Sequence, residues 1–123
     1  MKSYTDIEQS KKLAEILPLS SADMFWYRDA VTTEANPRIM NYMQIPELQS
    51  MYYSPCWSLS ALLDVLPKNY GKYTKTLYWF DDAWHCEYVN EIGQSDGILD
   101  TTADNPVDAC YGMILKLHER CLL

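Results

Sequence analysis

Apolar positions recur at helical spacing in three stretches of the chain and at alternating spacing in others, so helices and strands are both expected. Ile7, Lys11, Ala14 and Leu17 stand three or four residues apart, with Leu13 and Ile16 widening the stripe. Thr5 and Glu8 have the spacing of a capping box, and Pro18 ends the run, which predicts a first helix over about Asp6 to Leu17. Leu59, Leu62, Leu63 and Leu66 form one apolar stripe between Ser58, whose hydroxyl is a natural cap, and Pro67. This predicts a short helix over 58–66. The third and longest stripe, Val107, Cys110, Tyr111, Ile114, Leu117, His118 and Cys121, follows Asp104, Asn105 and Pro106. A capping Asp or Asn, a proline where its missing N–H costs nothing, and Asp108 in the first turn predict a helix over about 106–120.

Between these, Lys75–Phe80 and Ala83–Val89 flank Asp81-Asp82 and read as a β-hairpin over about 75–89. A loop of two or four residues gives the same register, with Trp79 opposite Trp84, Leu77 opposite Cys86 and Lys75 opposite Tyr88. One face then carries Leu77, Trp79, Trp84, Cys86 and Tyr88, and is expected to be core. The other carries Thr76, Tyr78, Phe80, His85 and Glu87, and becomes a surface site if nothing covers it. Ala22 to Val31, with Met24-Phe25-Trp26-Tyr27, favours a strand, although a helix capped by Ser21 also fits. Thr32–Pro37 reads as a loop and Arg38–Gln44 as a second strand. Ile45–Pro55, interrupted by prolines, reads as an irregular connection, and Asn90–Leu99 as a short strand or a long loop. The sum is an α+β fold: a single domain over residues 1–123, with a small, mostly antiparallel sheet packed against helices at about 6–17, 58–66 and 106–120.

Composition narrows the function classes. The chain has 123 residues, 48% hydrophobic, with ten tyrosines, four tryptophans and a formal net charge of −7. Seventeen acidic residues against ten scattered basic ones argue against binding to nucleic acid or to an anionic membrane surface, both of which require clustered Lys and Arg. The absence of a long apolar run and of an apolar leader leads to the expectation of a cytoplasmic protein. Of the four cysteines (Cys56, Cys86, Cys110 and Cys121) no two form a Cys-x-x-Cys pair, and all are expected to be free, buried thiols.

Chemistry-bearing residues are few. His85 and Cys86 are adjacent, but adjacent strand residues point to opposite faces, so they form no thiolate–imidazole dyad. His118 would reach Cys86 only through tertiary packing, and is expected to be a partly buried helix residue. His118 and Cys121, with Cys110 or Cys86, do not have the spacing of a zinc site. Asp96, Asp100 and Asp104 lie in an expected loop, but without the ligand pattern of a calcium loop. No phosphate-binding loop, dinucleotide fingerprint or nucleophile elbow is present. The expectation is therefore no catalytic residue, no metal and no cofactor. The aromatic set Trp26, Tyr27, Tyr42, Tyr52, Tyr53, Trp57, Tyr78 and Phe80 is the most unusual feature, and Tyr and Trp dominate interface hot spots. Tyr52, Tyr53, Tyr78, Phe80 and His85 are the candidate partner-binding residues.

Two motifs carry a resemblance. Pro55-Cys56-Trp57-Ser58-Leu59-Ser60-Ala61-Leu62-Leu63 before Pro67, and Asp104-Asn105-Pro106-Val107-Asp108-Ala109-Cys110 leading into Met113–Glu119, resemble a group of small prophage and mobile-element proteins of gut bacteria. The resemblance extends over about 45–123. It implies a phage-related accessory role and transfers no activity or catalytic residue. The leading expectation is a non-enzymatic protein that associates with itself or with a host or phage protein. Two alternatives stand beside it: a small enzyme using Cys/His or carboxylate chemistry, and an acidic inhibitor of a host nucleic-acid enzyme.

Overall fold

Asp6, one residue later than the spacing of Thr5 and Glu8 implied, is the residue that caps the first helix. In a computed structural model, which describes residues 1–28, 35–39 and 53–123, α1 spans Ile7–Ile16. Asp6 Oδ1 accepts from the Gln9 amide at 2.8 Å, and Gln9 Oε1 accepts from the Asp6 amide at 3.1 Å. Thr5 is freed from capping and is buried instead. The buried positions of α1 are Ser10 and Leu13, with Leu17 just beyond it, while Lys11 and Ala14 are exposed. The inward stripe therefore lies one position off the expected one, because a buried serine replaced an apolar residue in the pattern.

The fold is α+β with two antiparallel sheets where one was expected. The chain divides into two compact units, Tyr4–Ala61 and Leu62–Leu123 with Met1–Ser3. In the first, β1 (Met24–Arg28) lies between β2 (Ala35–Ile39) and β3 (Tyr53–Cys56). The strand expected over 22–31 is thus present. Ala35–Pro37, expected in a loop, instead pairs with β1, Pro37 standing opposite Trp26. Proline is tolerated there because β2 is an edge strand. The expected strand Arg38–Gln44 and the irregular connection before Tyr53 fall largely outside the described residues.

Helix α1 packs on β3. Thr5 joins them: its amide donates to Trp57 O at 2.9 Å, and its hydroxyl oxygen accepts from the Trp57 amide at 3.1 Å and lies 2.7 Å from Ser10 Oγ. Among the described residues every buried side-chain nitrogen and oxygen has a partner, this corner included, as the cost of an unpaired one requires. Trp57 is fully buried, with its indole N–H donating to Ser21 Oγ at 2.9 Å.

Helix α2 (Leu59–Val65) begins at Ser58, whose hydroxyl oxygen accepts from the Ala61 amide at 3.2 Å. Leu62 and Leu66 are buried, and Leu59 and Leu63 half-buried. In the second unit the strands run in the order β4 (Asn69–Tyr70), β5 (Tyr73–Phe80), β6 (Ala83–Val89) and β7 (Ser95–Ala103). The hairpin register is the expected one, with Trp79 opposite Trp84, Leu77 opposite Cys86 and Lys75 opposite Tyr88. Of the stretch 90–99 read as a strand or loop, 90–94 form a turn and the rest opens β7, which continues to Ala103, so Asp100 belongs to a strand and not to a loop.

Helix α3 (Pro106–Glu119) covers β6 and β7 on one face. Asn105 Oδ1 accepts from the Asp108 amide at 2.9 Å, which identifies Asn105, and not Asp104, as the cap. Val107, Cys110, Ile114 and Leu117 are buried as expected, joined by Ala109 and Met113. His118 and Cys121, expected on the inner stripe, are exposed: His118 stands on the outer side of the last turn, and Cys121, with φ of 58°, lies beyond the end of the helix. Thr101 Oγ1 lies 2.7 Å from Ala109 O and 3.3 Å from Cys86 O, fastening helix to strand. No helix among the described residues is long and apolar enough to cross a membrane.

Candidate functional site

The face of the hairpin expected to be core is core at only one end. Cys86 and Tyr88 lie beneath α3, whereas Trp84 and Leu77 are half-buried and Trp79 is 53% exposed. The two indoles meet edge to face, with ring centroids 5.9 Å apart. The opposite face bears Tyr78, 38% exposed, and Phe80, 65% exposed, with His85 half-buried between them. The Tyr78 ring stacks on His85 at 5.1 Å between centroids, and Phe80 tilts against His85 at 6.2 Å. Neighbouring β7 continues this face with exposed Ile98, Asp100 and Thr102. Both faces of the hairpin end are therefore aromatic, and among the described residues neither is closed over.

Local hydrogen bonds hold the rings in place. Tyr78 donates to Glu87 Oε1 at 2.6 Å, and a ring nitrogen of His85 (Nε2) lies 2.9 Å from Phe80 O. The Glu87 carboxylate accepts the Tyr78 proton and stabilises the neutral phenol, pushing its pKa up to about 12. A group whose folded pKa is raised contributes stability below its unfolded pKa, near 10, and loses it as pH rises toward the folded value. Tyr70 and Tyr88 are also raised, by burial, so the Tyr78 step is identified by difference: Glu87→Gln is expected to move one tyrosine's ultraviolet titration from near pH 12 back toward the ordinary value. A wild-type spectrum unchanged by Glu87→Gln contradicts the pairing.

The turn that presents these rings is costly. Asp81 and Asp82 have φ of 52° and 58°, the left-handed region that a two-residue hairpin needs and that glycine or asparagine adopts more readily. Replacing the pair by Asn-Gly is expected to stabilise the chain by about 0.5–1.5 kcal/mol in urea denaturation. Equal or lower stability contradicts the turn geometry.

The remaining candidates are dispersed. Backbone at Tyr53 lies in β3, and Tyr52 falls outside the described residues, as does Tyr42. Trp57 is interior, and Trp26 is half-buried, its indole N–H donating to Ser10 Oγ at 3.3 Å. His85 and Cys86 point to opposite faces of β6, and His118 faces solvent. The Cys86 thiol is pushed up by its hydrogen bond to the Cys110 sulfur and by burial, and that of Cys56 by burial. Such thiols are poor nucleophiles. Cys121, expected to be buried, is exposed beyond the end of α3. A thiol reagent such as Ellman's is expected to modify one cysteine rapidly in the native protein and the other three only after denaturation. Two or more fast thiols contradict the packing. Among the described residues no group of three or more His, Cys, Asp or Glu is arranged to hold a metal ion.

Sequence reasoning missed Trp79 and Ile98. Alternation alone put Trp79 in the core, but the strand pairs nearest a two-residue turn lie farthest from the helix covering the other end of the ribbon. That distance was the available signal. In comparisons with protein-family models, with curated proteins and with solved structures, nothing matches this chain.

Proposed function

We propose that this protein acts by protein–protein association through the exposed end of the β5–β6 hairpin, as a non-enzymatic accessory protein. The observation that carries the reading is the pairing of exposed aromatics on both faces of one ribbon end: Trp79 on one, Tyr78 and Phe80 on the other. Exposed tyrosine and tryptophan held by their neighbours lose little conformational entropy on binding, and such residues concentrate the energy of interfaces. Stacking on His85 and the Glu87 contact fix Tyr78 before any partner arrives. A phage-related setting, which the sequence motifs at 55–67 and 104–119 led us to expect, is part of the same proposal.

The test is a photo-crosslinking amino acid placed at Phe80 in cells, with the same group at Ile92, exposed in the turn between β6 and β7, for comparison. A discrete adduct from position 80 and none from position 92 supports the reading. Equal labelling from both positions, or no adduct, refutes it.

A further inference from the structure

Among the described residues, the hairpin end carries an unpaired backbone edge as well as exposed rings. The Lys75 amide donates to Lys68 O at 3.0 Å, so Lys75 directs its backbone groups toward β4. Backbone direction alternates along a strand, and β5 pairs with β6 without a break from Thr74 to Phe80. Leu77 and Trp79 therefore direct their N–H and C=O groups to the same side as Lys75. There β4 has ended, its pairs with β5 reaching only Asn69–Thr74 and Tyr70–Tyr73. Among the described residues no strand lies along Thr76–Phe80 on that side.

Proteins ordinarily protect such an edge with a charge, a proline, a bulge or a short strand. Thr76-Leu77-Tyr78-Trp79-Phe80 has none of these, and consists of residues with high strand preference.

We infer that a second copy of this chain pairs with this edge, β5 against β5 in antiparallel register about a two-fold axis through Tyr78. The inference rests on the association reading above and names the partner. Leu77 then stands opposite Trp79 of the copy, and Trp79 opposite its Leu77. Each of these pairs exchanges two backbone hydrogen bonds. Tyr78 faces its own counterpart across a pair without hydrogen bonds, where side chains approach most closely.

Charge favours this occupant over an arbitrary strand. Asp81 and Asp82 stand at one end of β5, and the exposed Lys68 and Lys72 at the other. Antiparallel pairing of two copies brings the acidic turn of each to the basic end of its partner. The same symmetry makes the contact self-limiting, because the two edges cover each other and leave none for a third copy.

Sedimentation velocity and disulfide trapping test this together, with Cys121→Ser removing the exposed native thiol. Wild-type protein is expected to sediment as a dimer at tens of micromolar. Tyr78→Lys, which sets like charges opposite each other on the axis, is expected to sediment as a monomer with an unchanged far-ultraviolet circular dichroism spectrum. Tyr78→Cys is expected to form a covalent dimer under mild oxidation at least tenfold faster than Thr76→Cys, which faces Phe80 of the copy in this register. A wild-type monomer at about 100 μM, or equal trapping at both positions, overturns the inference. The trapping arm stands even if Tyr78→Lys misfolds. If the crosslinker at position 80 instead captures a different protein while the wild type stays monomeric, self-pairing fails and the association reading survives. An adduct of twice the chain mass from that position supports both.

Discussion

Trp57→Ala is expected to remove about 3–5 kcal/mol of stability, measured by urea denaturation followed by circular dichroism. The side chain is fully buried, so truncation leaves a cavity in addition to the lost transfer free energy. It also leaves Ser21 Oγ without the indole N–H that reaches it at 2.9 Å. Small domains are stable by only about 5–15 kcal/mol, so this one change removes a large fraction of the total. Trp57→Phe keeps most of the volume and loses chiefly the hydrogen bond, and a cost of about 1–2 kcal/mol is expected. A loss below about 1 kcal/mol for the alanine variant would show that the Trp57 site is not the packed interior described here.

The counterpart in the second unit is Tyr88→Ala, also expected to cost about 3–5 kcal/mol. Tyr88 is fully buried, meets Tyr70 edge to face at 5.1 Å, and donates its phenolic hydrogen to Pro67 O at 2.6 Å. Tyr88→Phe isolates that hydrogen bond. It leaves Pro67 O without this donor while preserving the ring contacts, and about 1 kcal/mol is expected. If the phenylalanine variant costs as much as the alanine variant, the hydrogen bond and not the packing governs the site.

Some elements were legible because a local rule determined them. The turn pair Asp81-Asp82 centred the hairpin, and a loop of two or of four residues about it gives one and the same register. Asn105-Pro106 marked the start of α3, where cap and proline act on the same turn. Other features depended on contacts remote in sequence. Ser10 reads as a polar interruption of α1, and only the arrival of Thr5, Trp26 and β3 makes it interior. Ala35–Pro37 reads as a loop because proline and asparagine disfavour strands, and edge position in the sheet overrides that preference. Two sheets rather than one follow from pairings that no single segment encodes. At the site, Tyr78, Phe80 and His85 were legible as one face of the ribbon. The exposure of Trp79 was not, because alternation states which side a residue takes but not how far the covering helix extends.

The corner built on Thr5 has a kinetic consequence. Its bonds to Trp57 and the bridge between Tyr4 and Ser58 join positions about fifty residues apart, whereas the β5–β6 hairpin closes over a two-residue turn. Closing so long an intervening segment is entropically slow, while hairpins form in about 1–10 μs. During translation at about 5–20 residues per second, α1 must wait several seconds for its partner strand to be made. Until then Ser10 and Leu13 remain hydrated, and the N-terminal segment is a target for chaperones and proteases before it is part of a fold.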